Sequence, residues 1–216
     1  MRYTFPRWTN RIPLYLGAAI PVVAGGVTFG VWYWFSPKFT DVGYQPRQPV
    51  EYSHFLHAGT LGMDCRFCHN TAELAAHAAI PPSQTCMTCH EKLVLPESPK
   101  LFAVRQSAKT GESVSWVRVH MLPDYAYFDH SVHLAAGVGC VTCHGRVDRM
   151  KVVYQEEPLS MSWCLTCHRN PGSNLRPRSE ITNMKWDAKT AGYRPEADPS
   201  RKRAVNPPTY CSGCHR

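Results

Sequence analysis

The sequence predicts a mainly α-helical fold with much irregular loop, in which a single transmembrane helix precedes a domain organised around a short repeated motif. Three observations predict it. Residues 12–35 contain no charged side chain. The pattern Cys-x-x-Cys-His occurs five times after residue 64. The chain also contains 18 Pro and 14 Gly, which interrupt regular structure and favour loops.

The uncharged stretch is long enough to span a membrane. At 1.5 Å per residue, the 24 residues of 12–35 make a helix of about 36 Å, against a hydrocarbon core of about 30 Å. A cleaved signal peptide has an apolar region of about 7–15 residues that ends at small side chains. This stretch is longer and ends in bulky aromatic residues at 32–35. We therefore expect a retained, single-pass anchor.

The charges that flank the anchor predict its orientation. Residues 1–11 carry Arg2, Arg7 and Arg11 and no acidic residue. Basic flanks remain in the cytoplasm. We therefore expect residues 1–11 to be cytoplasmic and the chain after Lys38 to lie on the periplasmic face of the inner membrane.

The rest of the chain divides into a linker and one domain. Residues 36–51 contain three prolines, so we expect an extended linker there. Residues 52–216 form the predicted domain. Within it, the units 52–97 and 127–171 each carry two motifs, and the fifth motif stands apart at 211–215.

Each Cys-x-x-Cys-His motif is typical of the attachment of a c-type haem. The two thiols add to the porphyrin vinyl groups, and the next His is the proximal ligand of the iron. All ten cysteines lie in the motifs, so none remains for a disulfide, and five covalently attached haem c groups are predicted. The predicted attachment residues are Cys65, Cys68, Cys86, Cys89, Cys140, Cys143, Cys164, Cys167, Cys211 and Cys214, and the proximal ligands are His69, His90, His144, His168 and His215.

Zinc is the alternative for the cysteine pairs. The gaps from Cys68 to Cys86 and from Cys143 to Cys164 fit the spacing of a zinc ribbon. The pair at Cys211 would then have no partner pair, and zinc does not explain a His after every pair. The sequence favours haem.

A second pattern, His-x-x-His, precedes two of the motifs. His54 and His57 come before the first motif, and His130 and His133 come before the third. Residues i and i+3 share one face of a helical turn, so two such imidazoles can serve two neighbouring haems. The arrangement indicates duplication of a two-haem module.

The histidines outside the motifs nearly match the number of distal positions that five haems require. With a distal ligand on each iron, the haems are relays, and we expect no catalytic site on this chain. The predicted distal ligands are His54, His57, His77, His120, His130 and His133. Met150 and Met161 are the alternatives, since Met pairs with His on haem iron and raises its potential.

The formal charge of +8 suggests an anionic partner at first sight. Two propionates on each haem add about −10 in all, so the assembled protein is near neutral. Binding to nucleic acid therefore has no support.

Outside the motifs, local patterns predict few regular elements. A helix is expected at 98–111, capped by Ser98 and ended by Gly111. Alternation at 112–128 favours extended chain, and residues 150–155 favour a short strand. The polar, Pro-rich stretch at 169–210 is expected to be an arm lying on the domain or on a partner, or a plain surface loop.

The run of residues from 50 to 171 resembles one family, the membrane-anchored pentahaem cytochrome c subunit of bacterial alternative complex III. The resemblance rests on YSHFLHAGTLGMDCRFCH, on HAAIPPSQTCMTCH, and on WVRVHMLPDYAYFDHSVHLAAGVGCVTCHGRVDRM leading to LSMSWCLTCHRNP.

The resemblance implies a subunit of a quinol:electron-acceptor oxidoreductase. Its partners would be integral-membrane quinol-oxidising subunits, an iron–sulfur subunit and a monohaem cytochrome c. This chain would relay electrons through its haems to a soluble periplasmic carrier or a terminal oxidase.

A rival function is that of a self-sufficient quinol dehydrogenase, like the anchored tetrahaem cytochromes that feed periplasmic reductases. Those proteins place a haem motif directly after the membrane helix. Here a Pro-rich linker separates Phe35 from Cys65. A passive anchor or assembly subunit is a third possibility, and five haem motifs argue against it.

Overall fold

A computed structural model describes residues 5–200 and 204–215. The chain forms two compact regions: an N-terminal region that ends at Asp41 and a C-terminal region that begins at Val42. Arg2, which contributes to the predicted cytoplasmic charge, lies outside the described residues.

The N-terminal region is dominated by one helix, α1 (Ile12–Trp34), which follows a 3-10 turn at Arg7–Arg11. Pro in its first turn suits the start of a helix, where the missing N–H has no intrahelical partner. Its apolar side chains are exposed; Val22, for example, is 74% exposed. The helix is long and apolar enough to cross a membrane.

The predicted linker is not extended throughout. Pro37–Thr40 forms one helical turn, α2, with Pro at its start. The prediction is wrong there because proline excludes the helix interior but is well placed in the first turn. The remainder of the linker, residues 41–51, has no regular helix or strand.

The C-terminal region consists of short helices joined by irregular chain, and this confirms the predicted fold class. Among the described residues there is no strand, only isolated bridges between Ala126 and His215 and between Val138 and Leu175. The α-helices are α3 (Cys65–Cys68), α4 (Ser83–His90), α5 (Phe102–Thr110), α6 (His130–Ala135), α7 (Cys140–His144) and α8 (Met161–Arg169). A π-helical turn spans Phe55–Thr60, and 3-10 turns span Pro99–Leu101, Val147–Arg149, Pro171–Asn174, Arg178–Glu180, Pro195–Ala197 and Cys211–Gly213.

The helix predicted at 98–111 is present in two pieces. The 3-10 turn Pro99–Leu101 leads into α5, and Gly111 ends the helix with φ 78°, a conformation that glycine adopts without strain. Ser98 makes no capping hydrogen bond through its side chain. The strand predicted at 150–155 does not form. Instead, Gln155 exchanges backbone hydrogen bonds with residues 43 and 44.

The core of the C-terminal region contains few apolar side chains. In the described part of the chain, the buried hydrophobic residues are Val50, Val104, Val138, Met150, Leu175 and Ile181. So small a core does not by itself stabilise a domain of this length. Haems attached at the predicted motifs would add apolar surface to the interior.

The first part of the 169–210 arm packs against the segment that enters the third motif. Leu175 is 3% exposed and Ile181 is 2% exposed. The Cys140 N–H donates to the Ile181 carbonyl at 3.0 Å, and the Arg176 N–H donates to the Gly137 carbonyl at 2.8 Å. This part of the arm therefore lies on the domain, and the plain surface loop is excluded for it.

Candidate haem-binding sites

The Cys-x-x-Cys-His motifs lie on single helical turns. Four belong to α3, α4, α7 and α8, and the fifth to the 3-10 turn Cys211–Gly213. On such a turn, positions i, i+3 and i+4 lie on one side, so both thiols and the imidazole of a motif face the same way. None of the ten cysteines, all of which lie within the described residues, forms a disulfide.

Side-chain caps begin two of these turns. Asp64 accepts a hydrogen bond from the Arg66 N–H at 2.8 Å, and Ser160 accepts one from the Trp163 N–H at 3.3 Å. The Arg66 guanidinium donates a hydrogen bond to Asp64, which lowers the pKa of that carboxyl to about 2. Asp64 is thus a charged cap at neutral pH.

The two His-x-x-His turns have the same local geometry. Tyr52 lies two residues before His54, and its ring centroid is 4.7 Å from that of His54 and 4.5 Å from that of His57. Phe128 lies 4.7 Å from His130 and 4.6 Å from His133. One aromatic ring therefore packs against both imidazoles in each turn.

Seven imidazoles donate their Nδ1 hydrogen to a backbone carbonyl. This bond fixes the tautomer and the ring orientation, and it leaves Nε2 as a free electron-pair donor, as is usual for metal-ligating histidines. The donors and acceptors are His57 with Ser53 (2.9 Å), His69 with Ala79 (2.8 Å), His90 with Val94 (2.7 Å), His130 with Ala76 (2.7 Å), His133 with Asp129 (2.7 Å), His168 with Pro208 (2.7 Å) and His215 with Tyr125 (3.1 Å).

Three histidines that follow a Cys pair face a histidine of a His-x-x-His turn. The ring centroids of His57 and His90 are 6.2 Å apart, with 59° between the ring planes. Those of His130 and His144 are 6.3 Å apart at 10°. Those of His133 and His168 are 6.1 Å apart at 40°. The separations agree within 0.2 Å although the pairs come from different parts of the chain.

Further imidazoles gather around His144. The ring of His120 lies edge-on to it, with centroids 4.4 Å apart. Burial, followed by the nearby His120 and His130, lowers the pKa of His144 to about 3. Burial, followed by His69 and His57, lowers the pKa of His54 to about 4. These imidazoles are therefore neutral at physiological pH, the form that binds metal.

Two ring nitrogens in this group are buried without a hydrogen-bond partner. They are Nδ1 of His54 and Nε2 of His120. A buried polar nitrogen without a partner is costly, and a bound group that uses its lone pair removes the cost. The observation therefore fits a metal-bearing cofactor.

The remaining predicted ligands occupy different surroundings. His77 is exposed, and its carbonyl accepts a hydrogen bond from Thr71. Met161 is 61% exposed, whereas Met150 is 5% exposed and its carbonyl accepts from the Phe55 N–H. The ring that packs on His215 is that of Tyr125, with centroids 5.8 Å apart.

Thiols of different motifs are close together. The Cys65 and Cys140 thiols lie close enough to shift each other's pKa, which is lowered at Cys65 and raised at Cys140. Burial raises the pKa of Cys68, and the Cys86 thiol adds to this effect. Burial likewise raises the pKa of Cys143 to about 12, with Cys164 contributing. The pKa of Cys164 is raised by burial and then by Cys214.

Within residues 5–200 and 204–215, no three His, Cys, Asp or Glu side chains converge as a metal-binding group. What recurs is a pair of thiols with one imidazole on the same turn, the set that a c-type haem needs.

Sequence reasoning missed the carbonyl acceptors and the shared aromatic ring. The ring had a visible signal, because an aromatic residue precedes each His-x-x-His by two positions. Acceptors four residues upstream, such as Ser53 and Asp129, follow from the helical turn. Distant ones, such as Pro208 for His168, had no local signal.

Fold and sites together define a multihaem c-type cytochrome. The family model described as "Outer membrane cytochrome MtrC/MtrF-like, domains II/IV" matches residues 62–216, and the chain belongs to this family. The chain is also similar to the menaquinone reductase, multiheme cytochrome c subunit, of Nitratidesulfovibrio vulgaris. The two are 27% identical over 175 residues, which cover 71% of this chain and 82% of that protein.

Membership of the family establishes the coarse function. The chain is an electron-transfer protein with covalently attached haem c, and its apolar α1 agrees with membrane association.

Proposed function

We propose that this chain is the electron-relay subunit of a membrane quinol:electron-acceptor oxidoreductase of the alternative complex III type, with five haem c groups. The observation that carries the proposal is the set of three imidazole pairs at 6.1–6.3 Å.

This separation suits two axial ligands of one iron. With metal–imidazole bonds of about 2.0 Å and about 1.1 Å from nitrogen to ring centre, two imidazoles on opposite faces of one metal have centroids about 6 Å apart. By this measure His57 pairs with His90, His130 with His144, and His133 with His168. His120 is too close to His144, at 4.4 Å, to be its axial partner.

The repeat extends the assignment to His69. In the second unit the first His of the His-x-x-His turn faces the first motif of that unit, and the second His faces the second motif. The corresponding partner of His69 is His54, whose pKa is lowered first by burial and then by His69. For His215 the candidates are His77, His120, Met150 and Met161.

At the four sites with an assigned imidazole pair, two imidazoles would leave no position on the iron for a substrate. When bound, the haems would each accept and release one electron at iron. The residues of the chain hold and orient the imidazoles, and burial lowers the pKa of His54, His133 and His144. This supports a relay without a catalytic site of its own.

The expected assembly follows from the anchor and from the resemblance. Helix α1 would hold the chain in the inner membrane, with the haem domain on the periplasmic face. Integral-membrane quinol-oxidising subunits, an iron–sulfur subunit and a monohaem cytochrome c would be its partners, and a soluble carrier or an oxidase would receive the electrons.

Intact mass and reduced quinol test the proposal together. The purified chain should carry the mass of five haems, and zinc without haem would end the proposal. Offered reduced quinol alone, the haems should stay oxidised; in membranes that contain the whole complex they should be reduced. Rapid reduction of the isolated chain would favour the self-sufficient quinol dehydrogenase instead.

The similarity to a menaquinone reductase subunit supports a second candidate, in which electrons flow toward quinone. The experiment is to give the intact complex a reduced periplasmic carrier and an oxidised quinone. Net formation of quinol, with little reaction in the opposite direction, would favour this candidate over quinol oxidation.

A further inference from the structure

The sites also define an order in space that differs from the order in sequence. Within the second unit, one His-x-x-His turn joins two motifs, since residues three apart on the turn face different motif histidines. His130 and His133 thereby bring the third motif next to the fourth, with ring separations of 6.3 and 6.1 Å. His57 brings the second motif to the turn that precedes the first, with a separation of 6.2 Å from His90.

The two units meet through their first motifs. Cys65, the first residue of the first motif, lies close enough to Cys140, the first residue of the third, for each thiol to shift the pKa of the other. His130 also donates to the carbonyl of Ala76, which follows the first motif. Because Cys65 and Cys140 are equivalent positions of the repeat, the units contact each other through the same surface, as the halves of a two-fold dimer do.

The fifth motif joins at the fourth. His168 donates to the carbonyl of Pro208 at 2.7 Å, three residues before Cys211. The fifth motif thus extends the second unit.

We propose that the five attachment motifs lie in the spatial order second, first, third, fourth, fifth, so that electrons enter and leave the chain at the second and fifth motifs. This inference rests on the proposed function. Exposure supports it independently, because Cys89 and Cys211 are the two cysteines that the polypeptide leaves exposed, and they belong to the second and fifth motifs.

Removing one haem at a time tests the order. In one variant, Cys65→Ala and Cys68→Ala remove the first haem; in the matched variant, Cys86→Ala and Cys89→Ala remove the second. Both carry Asp124→Cys, an exposed position next to Tyr125, whose carbonyl accepts from His215. All native cysteines are used by the motifs, so this thiol alone accepts a photosensitiser.

Repeated flashes then transfer single electrons from a sacrificial donor, through the label, to the chain. The readout is the share of the remaining haem absorbance that is reduced within milliseconds. Without the second haem, all of the remaining haem absorbance should be reduced within milliseconds. Without the first haem, the absorbance of one haem should be reduced slowly, because the haem of the second motif is then separated from the others.

A chain of haems in sequence order would give the reverse result and would overturn the proposal. Intact mass separates this failure from that of the proposed function, since a chain without haem would refute both. If the first-motif variant loses more than one haem, the second-motif variant decides alone. A slow share of one haem in that variant would overturn the order.

Discussion

The angles between paired imidazole planes predict distinct EPR signals. The angle is 10° for His130 and His144, 40° for His133 and His168, and 59° for His57 and His90. Parallel planes raise the energy of the same iron d orbital, which separates the d levels and gives a rhombic low-spin ferric spectrum. Crossed planes reduce that separation and move the lowest-field g value upward.

Single substitutions assign the signals. Among the signals of these three pairs, His130→Ala should remove the most rhombic one and His57→Ala the one with the highest g value. His133→Ala should remove the intermediate one. Each variant should lose about one fifth of the integrated low-spin signal if five haems are attached, and losses at separate sites should add. The thioether bonds do not depend on these histidines, so haem content by mass should not change.

The assay is continuous-wave EPR of the fully oxidised protein, with high-spin signal and absorbance measured in parallel. Val132→Ala is the control, because Val132 lies between His130 and His133 on the same turn, is 62% exposed and offers no ligand atom to iron. Loss of the signals in another order would refute the assigned pairs. Full retention of low-spin signal in all three variants would exclude these histidines as ligands and favour Met150 or Met161.

Two further predictions concern the anchor and the arm. Protease added outside spheroplasts should digest the haem domain if the basic flank of α1 lies inside, as the positive-inside rule predicts; protection of the domain would reverse the orientation. Ile181→Ala should destabilise the packing of residues 175–183 by about 2–5 kcal/mol, against about 0.5–1.5 for Ile181→Val, because the side chain is only 2% exposed. Hydrogen exchange measures the opening of this segment, and equal effects of both variants would contradict the buried contact.

The sequence was sufficient for features that depend on local spacing. Absence of charge over residues 12–35 predicted α1, and the position of Gly111 predicted the end of α5. Two predictions failed where a local pattern has more than one physical solution. Pro37 begins a helical turn instead of excluding one, and residues 150–155 pair with the linker through side chains and single backbone bonds rather than in a strand.

Long-range partners could not be predicted from spacing. The acceptor for His168 is 40 residues away, and that for His215 is 90 residues away. The anchoring of the arm was missed for a similar reason. Leu175 and Ile181 are isolated apolar residues in a polar stretch, and only the third motif against which they pack makes them core residues.

The fifth motif explains why the two ends of the chain of motifs differ. A duplicated module that contacts its copy through the first motifs has two equivalent outer ends, which would serve entry and exit of electrons equally well. The fifth motif lengthens only one end, where Pro208 accepts from His168. The outer end of the first unit keeps Cys89 exposed beside Leu93 and Leu95, which are 79% and 65% exposed. The two ends therefore present different surfaces, to which different electron-transfer partners can bind. Duplication alone would have given both ends the same surface.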